Sequence, residues 1–512
     1  MVETTSSNER KRGAILSYLS IIISTVVQLL YTPLLIRMLG QSEYGLYSLV
    51  SSIIGYLTVL DLGFGNAIVV FTAKYRASKE YDKEKKLHGM FLVVFCIIGV
   101  IAGILGLVIY YNVPILFGNT MDVVELHKTK IMMLILSFNL AITFPFSIYS
   151  SIITAYEKFT YQKLISILNT IMKPVLMIPL LFMGYKSITM TVVITIVNIL
   201  VLISNYIYCR TKLNIHIKFL GFDRKLFKTI FNYSFFIFLG VIVDKVNWSV
   251  DQFVLGAVSG TIAVSLYSVA SQINTLFVNL SSAISGVLLP KMSKMVASNV
   301  SNEELTNEFI KVGRIQYIMI FFMASAFIIF GKDFIMLWAG ENFDTSYYIA
   351  VILIVPLCIP LIQNLGISIM QAKNMHKFRA ILLTIIAVAN VFISIPLAKL
   401  YGGIGSAIGT SISLIIGNII ILNFYYYFKV GINVVSFWKN ILKMTIPMFI
   451  PCICILLLMS GNWLGGYLKL IVGGGIYTII YCFMSYFMVM NDYEKEYVIK
   501  FFEKLGIKGR KV

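Results

Sequence analysis

Long apolar runs recur from one end of this chain to the other, and formal charges are almost excluded from them. A helix needs about 20 apolar residues to cross the hydrocarbon core of a bilayer. Lipid offers no partner to an open backbone, so runs of that length are satisfied only as spanning helices. Of the 42 Lys and Arg and the 23 Asp and Glu, only Asp61, Lys173, Asp244, Lys245 and Asp251 fall inside the runs away from their ends. The chain is 13% charged with a mean hydropathy of +0.86, where a soluble domain is about 25% charged. A charge at mid-bilayer costs roughly 2.5–3.5 kcal/mol on insertion scales, so each retained one is a candidate functional group.

The pattern predicts an all-α integral membrane protein of about 14 transmembrane helices, centred near residues 26, 57, 100, 140, 174, 198, 245, 275, 325, 359, 388, 415, 451 and 478. Threading them with both termini in the cytoplasm puts most of the 42 basic residues in inner segments, as the positive-inside rule requires. The inner clusters are 10–12, 74–86, 210–228, 291–314 and 495–511. The first run, from Ala14 to Leu39, is too long for a signal-peptide core and has no small-residue cleavage site, so it reads as a retained span.

An internal repeat sets the architecture. Leu39-Gly40 with Leu46-Tyr47-Ser48 recurs as Leu255-Gly256 with Leu266-Tyr267-Ser268, Lys158-Phe159 as Lys377-Phe378, and Ile178-Pro179-Leu180 as Ile395-Pro396-Leu397. An even number of spans separates the copies, so the two six-helix bundles are expected to be related by a pseudo-two-fold along the membrane normal, with two C-terminal helices added. The expected segments are a cytoplasmic N-terminus (1–13), a first bundle (14–210), a basic linker (211–229), a second bundle (230–428), two more spans (429–490) and a basic tail (491–512).

The formal charge of +19 is explained by topology and accompanies no nucleic-acid-binding motif. Six cysteines lie in or beside apolar spans without metal-ligand spacing, and four histidines lie at loops or interfaces. No Gly-rich phosphate loop followed by Lys-Ser/Thr is present, so no ATPase, cofactor or metal is expected.

The seventh span is the most polar. Asp244, Asn247, Trp248 and Asp251 share one helical face beside Lys245, and Gln272 and Asn274 continue the theme in the eighth span. Asp251 is expected near the outer surface. The first span, the repeat counterpart of the seventh, carries Ser24 and Gln28 on one face, and Gln28 aligns with Asp244. Such faces line a cavity or make interhelical hydrogen bonds. Lys173 stands just before Pro174, close to mid-depth in the fifth span, and reads as an anion site or as the partner of an acid in another span. Asp61 opens Asp-Leu-Gly-Phe-Gly-Asn, whose Gly63 and Gly65 permit a kink or close packing. Arg37 can snorkel at the outer end of the first span.

Leu39-Gly40-x3-Tyr44-Gly45-Leu46-Tyr47, the Asp61–Asn66 motif and Glu157-Lys158-Phe159 resemble the polysaccharide repeat-unit flippases of the multidrug/oligosaccharidyl-lipid/polysaccharide exporter superfamily. The resemblance implies translocation of an undecaprenyl-pyrophosphate-linked oligosaccharide between leaflets, by alternating access coupled to a proton or sodium gradient. It also implies a monomer in the cell membrane that works beside polymerase and chain-length proteins. The charges suggest how the work is divided. Lys173, Lys245 and Arg37 suit the pyrophosphate, and Asp244, Asp61 and Asp251 the coupling ion. Ser24, Gln28, Asn247, Trp248, Gln272 and Asn274 suit the sugar. Three rivals remain: a drug/organic-cation antiporter of the same superfamily; a membrane-embedded polysaccharide polymerase or ligase, for which the short outer loops leave little material; and a scaffold within a polysaccharide export complex, which leaves the buried charges without a role.

Overall fold

The computed structural model describes residues 2–504 apart from 216, 218, 220, 374 and 460–465. Within the helices, the side chains of 2–11, 13–14, 236–237, 239–249, 286–287, 289–290, 376–377, 380, 497, 500–502 and 504 also lie outside the described set. The expected site residues Asp244, Lys245, Asn247 and Trp248 fall there.

The chain divides into two compact units, Met1–Ser268 with Val391–Ser406, and Val269–Asn390 with Ala407–Val512. In the first, α1 (Val2–Leu39) packs on α6 (Phe159–Phe182), and α4 (Tyr81–Phe117) packs on α5 (Val123–Ala155), which also meets α7 (Ser187–Thr211). The second span is broken into α2 (Gln41–Leu57) and α3 (Phe64–Ala77), and α8 covers Arg224–Val258. Lipid-solvated helices gain little from apolar burial against one another, so close approach relies on small residues. Gly99 on α4 is one: a Cβ there would sit 2.5 Å from the Ala141 carbonyl oxygen. Phe64, Phe91, Phe95 and Phe144 form one apolar cluster. Leu35, Leu39, Met177 and Val197 form another between α1, α6 and α7.

The second unit holds most of α9 (Gly260–Ala297), with α10 (Asn302–Ala339), α11 (Asp344–Ile362), α12 (Leu365–Ala372) and parts of α13 (His376–Leu414). It continues through a short α14 (Leu422–Tyr425), α15 (Val434–Met459), α16 (Gly466–Leu468), α17 (Gly474–Met484) and the amphipathic α18 (Asp492–Lys504). The late helices α15 and α17 pack on α10 around Phe322, Tyr477 and Tyr481, with the Tyr477 and Ser325 hydroxyls 2.5 Å apart.

Among the described residues, twelve helices are long and apolar enough to cross a membrane, against about 14 expected. The difference has two sources. Helix α8 does not enter the count because much of it lies outside the described side chains. The stretch Ile381–Val430 counts once at 50 residues, although at about 1.5 Å per residue it is more than twice the length of one crossing. Gly402, at φ 56° and ψ −135°, interrupts it.

Candidate transport site

Asp61 sits where the second span breaks. Helix α2 ends at Leu57, a 3-10 turn runs from Thr58 to Asp61, and Leu62 and Gly63 follow with φ of 52° and 73° before α3 starts. Left-handed backbone is cheap for glycine and costly for leucine, so something must hold this break in place. Phe64 does part of this, fully buried 5.2 Å from Phe91. The new helix start leaves orphan N–H groups inside the membrane. The half-buried Asp61 carboxylate accepts one of them, from Gly65, at 3.4 Å. Negative charge at a helix N-terminus is also favoured by the macrodipole. The Gly-Phe-Gly motif is therefore a kink, and Asp61 caps it.

Asp251, on α8, is 2% exposed. It is enclosed by protein, because two other helices cover it. Tyr267 of α9 donates to Oδ2 at 2.5 Å and Ser406 of α13 to Oδ1 at 2.7 Å. Tyr56, one turn before the Asp61 break, lies within electrostatic range of Asp251. Its own buried hydroxyl has no hydrogen-bond partner among the described residues. Gln252 donates to Ser268 at 3.2 Å alongside. Aligning Leu39-Gly40 with Leu255-Gly256 places Leu35 at the position of Asp251, and Leu35 is core beside Tyr47. The same place in the first half is thus filled by a hydrocarbon, so this packing does not by itself demand a carboxylate.

Lys173 lies half-buried on α6, and no hydrogen bond or ion pair meets it among the described residues. Asn169, one turn earlier, buries an Oδ1 that has no partner either. Gln162, two turns before that, donates to Thr154 at 2.6 Å. The other candidates are dispersed. Ser24 is exposed and donates back to the Ile21 carbonyl oxygen at 2.9 Å. Gln28 is half-buried on α1, and Arg37 is exposed in its last turn. Gln272 and Asn274 belong to the second unit, and Asn274 is 2% exposed with no partner for Oδ1 among the described residues.

A second polar cluster escaped the sequence reading. Helices α2, α5, α7 and α9 all begin at one end of the first unit. There the buried Glu43 carboxylate accepts from Lys128 and Ser187. Glu125 accepts from Ser42 and, at 2.9 Å, from Thr261. Asp122 and Glu125 form a capping box. Gly45 meets the Thr261 carbonyl so closely that a Cβ would overlap it. The capping-box spacing was visible in the sequence, but the pairing of Glu43 with Lys128, 85 residues away, was not.

Helices of this number and length, with a broken second span and enclosed carboxyl and ammonium groups, define a multi-span membrane protein. Its fold is that of the multidrug/oligosaccharidyl-lipid/polysaccharide (MOP) superfamily. It aligns with the lipid II flippase MurJ in an inward closed conformation at a TM-score of 0.74 and 19% identity, covering 96% of this chain and 99% of that one. It aligns with an inward-facing multidrug resistance transporter of the MATE family at 0.64 and 15%, covering 81% and 99%.

The chain belongs to the polysaccharide biosynthesis protein family, whose model matches residues 11–296. That span contains all three motifs on which the resemblance rested. A Shigella flexneri protein named as an O-antigen transporter is 22% identical over 404 residues, 77% of this chain and 92% of the relative.

Proposed function

We propose that this protein flips undecaprenyl-pyrophosphate-linked oligosaccharide repeat units from the cytoplasmic to the outer leaflet for cell-surface polysaccharide synthesis. The observation that carries the reading, within a family of polysaccharide biosynthesis proteins, is Lys173. An ammonium held within a span without an ion-pair partner among the described residues is costly unless an anion visits it. A pyrophosphate supplies that anion, with Lys245 and Arg37 as further contacts along its route. Sugar hydroxyls suit Ser24, Gln28, Asn247, Trp248, Gln272 and Asn274, while the prenyl chain stays in lipid. The named role of the Shigella relative supports the same substrate class.

The reading takes α8 and both arms of Ile381–Val430 as crossings. This gives 14 spans in two pseudo-symmetric six-helix bundles, 14–210 and 230–428, plus two C-terminal spans, with both termini cytoplasmic. Coupling is assigned to Asp251, with Asp244 and Asp61. Two hydroxyls on Asp251 suit this work, since a hydroxyl donates to a carboxylate and accepts from a carboxylic acid or ligates a sodium ion. A transporter of this kind uses an ion gradient and is not an enzyme.

The test is rescue of cells depleted of the protein. Wild type should restore lipid-linked oligosaccharide to the outer leaflet, and Lys173→Ala, expressed at the same level, should not. An enclosed carboxylate in a MATE-like fold also suits a cation antiporter. Normal leaflet sidedness in depleted cells with loss of organic-cation export would establish that instead.

A further inference from the structure

The second unit contains a cavity of about 590 Å³ that the proposed transport reaction does not use. It lies between the last turns of α9, the first turns of α10 and the amphipathic α18. Its walls are Ile284 and Leu288 on one side and Ile315 and Met319 on the other. The basic end is formed by Lys291 and Lys311, which share the Glu308 carboxylate at 2.5 and 3.5 Å. Met319 lies two turns beyond Lys311, about 12 Å deeper along α10. The cavity is therefore amphipathic along its length: cationic at the end of the basic 291–314 segment, apolar further in.

The tail helix is fixed in place as the third wall. Arg314 makes a two-point pair with Glu494, Nε to Oε1 at 2.6 Å and Nη2 to Oε2 at 2.9 Å, and also donates to the Val489 carbonyl at 3.0 Å. Asn491 and Glu494 cap the helix reciprocally at 2.9 Å. Lys311 then lies 5.2 Å from the centre of the Tyr493 ring. These contacts hold α18 against α10 with Tyr493 and Val498 on the cavity.

The charge count selects the occupant. Arg314 and Glu494 neutralise one another, and Glu308 neutralises one of the two lysines, which leaves a single positive charge at the mouth. Each ammonium has three N–H donors, so both retain donors beyond the shared carboxylate. A phosphodiester monoanion completes this charge, and an acyl chain fits the apolar depth. Basic pockets between spans on the cytoplasmic side suit anionic headgroups in this way. We infer that this cavity binds an anionic phospholipid of the inner leaflet, its phosphodiester between Lys291 and Lys311 and one acyl chain between α9, α10 and α18. The bound lipid ties the C-terminal helix to the membrane-facing side of α10.

The test uses the purified full-length chain in mixed micelles and reads thermal unfolding and lipid retention by native mass spectrometry. The probes are phosphatidylglycerol, phosphatidylcholine and glycerol 1-phosphate. Phosphatidylglycerol should raise the unfolding midpoint more than phosphatidylcholine at equal mole fraction, and glycerol 1-phosphate should not. The double variant Lys291→Gln/Lys311→Gln should lose that excess and retain phosphatidylglycerol roughly tenfold less well. Leu288→Trp, which fills the apolar wall and leaves both lysines, should lose the excess too, and it decides the matter if the double variant does not fold. The inference is overturned if wild type shows no excess, if both variants keep it, or if glycerol 1-phosphate reproduces it as a free-anion site. None of these readouts depends on transport.

Discussion

The Tyr267 hydroxyl donates a 2.5 Å hydrogen bond to the Asp251 carboxylate, and the two residues lie on helices separated only by Ser259. A carboxylate enclosed this way is fixed by its neighbours, and Leu35 fills the matching place in the first half. Replacing the Asp251 carboxylate by hydrocarbon removes the cost of burying an ion, on the order of several kcal/mol. Leaving Tyr267 and Ser406 without this acceptor offsets that gain by about 1–3 kcal/mol each. The Asp251→Leu variant should therefore fold with near wild-type stability and lose transport by about tenfold or more. Thermal unfolding measured beside leaflet sidedness checks this. A stable and active Leu variant would remove Asp251 from the coupling role.

Asp61 separates capping from coupling. Asn keeps an oxygen that accepts the Gly65 N–H, so Asp61→Asn should hold stability within about 0.5 kcal/mol, while Asp61→Ala should lose about 0.5–2 kcal/mol. Transport by the Asn variant is the deciding readout. Activity like wild type assigns Asp61 to the kink alone; loss at full stability assigns it to the ion.

Gly63 and Gly65 marked the place of the break but left a kink and close packing open, and the left-handed backbone at Leu62 and Gly63 decides for the kink. Asp61 and Asp251 were legible through the cost of charge in lipid. The partners of Asp251 were not. Ser406 lies 155 residues from Asp251, and Tyr267 is one of 30 tyrosines with nothing local to mark it as a partner. At Ser24, on the polar face of the first span, the hydroxyl donates to its own helix at the Ile21 carbonyl. Periodicity shows which face a side chain occupies, but not whether its hydrogen bond closes locally.

Glu43, Lys128 and Ser187 join α2, α5 and α7 at the end where those helices begin. Removing one member of a largely buried pair leaves the other charge uncompensated. Glu43→Ala should cost about 1–3 kcal/mol, discounted from the fully buried value because Lys128 keeps some solvent. The double variant with Lys128→Ala should recover part of that loss. Strict additivity across the cycle would show the pair to be uncoupled.

Gly45 allows α2 to touch the start of α9. A Cβ at that position overlaps the Thr261 carbonyl, and backbone cannot yield as a side-chain tip does. Gly45→Val should destabilise by about 1–3 kcal/mol and part α2 from α9. A cysteine at Thr261 should then react faster with a membrane-impermeant maleimide. Unchanged labelling at unchanged stability would refute the close contact.

The central claim is most directly tested with the purified protein in liposomes loaded on one leaflet with undecaprenyl-pyrophosphate-linked oligosaccharide. The quantity to follow is the fraction reaching the opposite leaflet, with and without an imposed proton or sodium gradient. Gradient-dependent transfer by wild type, lost in Lys173→Ala and in Asp251→Asn, is the predicted result. Transfer no faster than in protein-free liposomes under either gradient, with a protein that is folded and correctly inserted, would contradict the account.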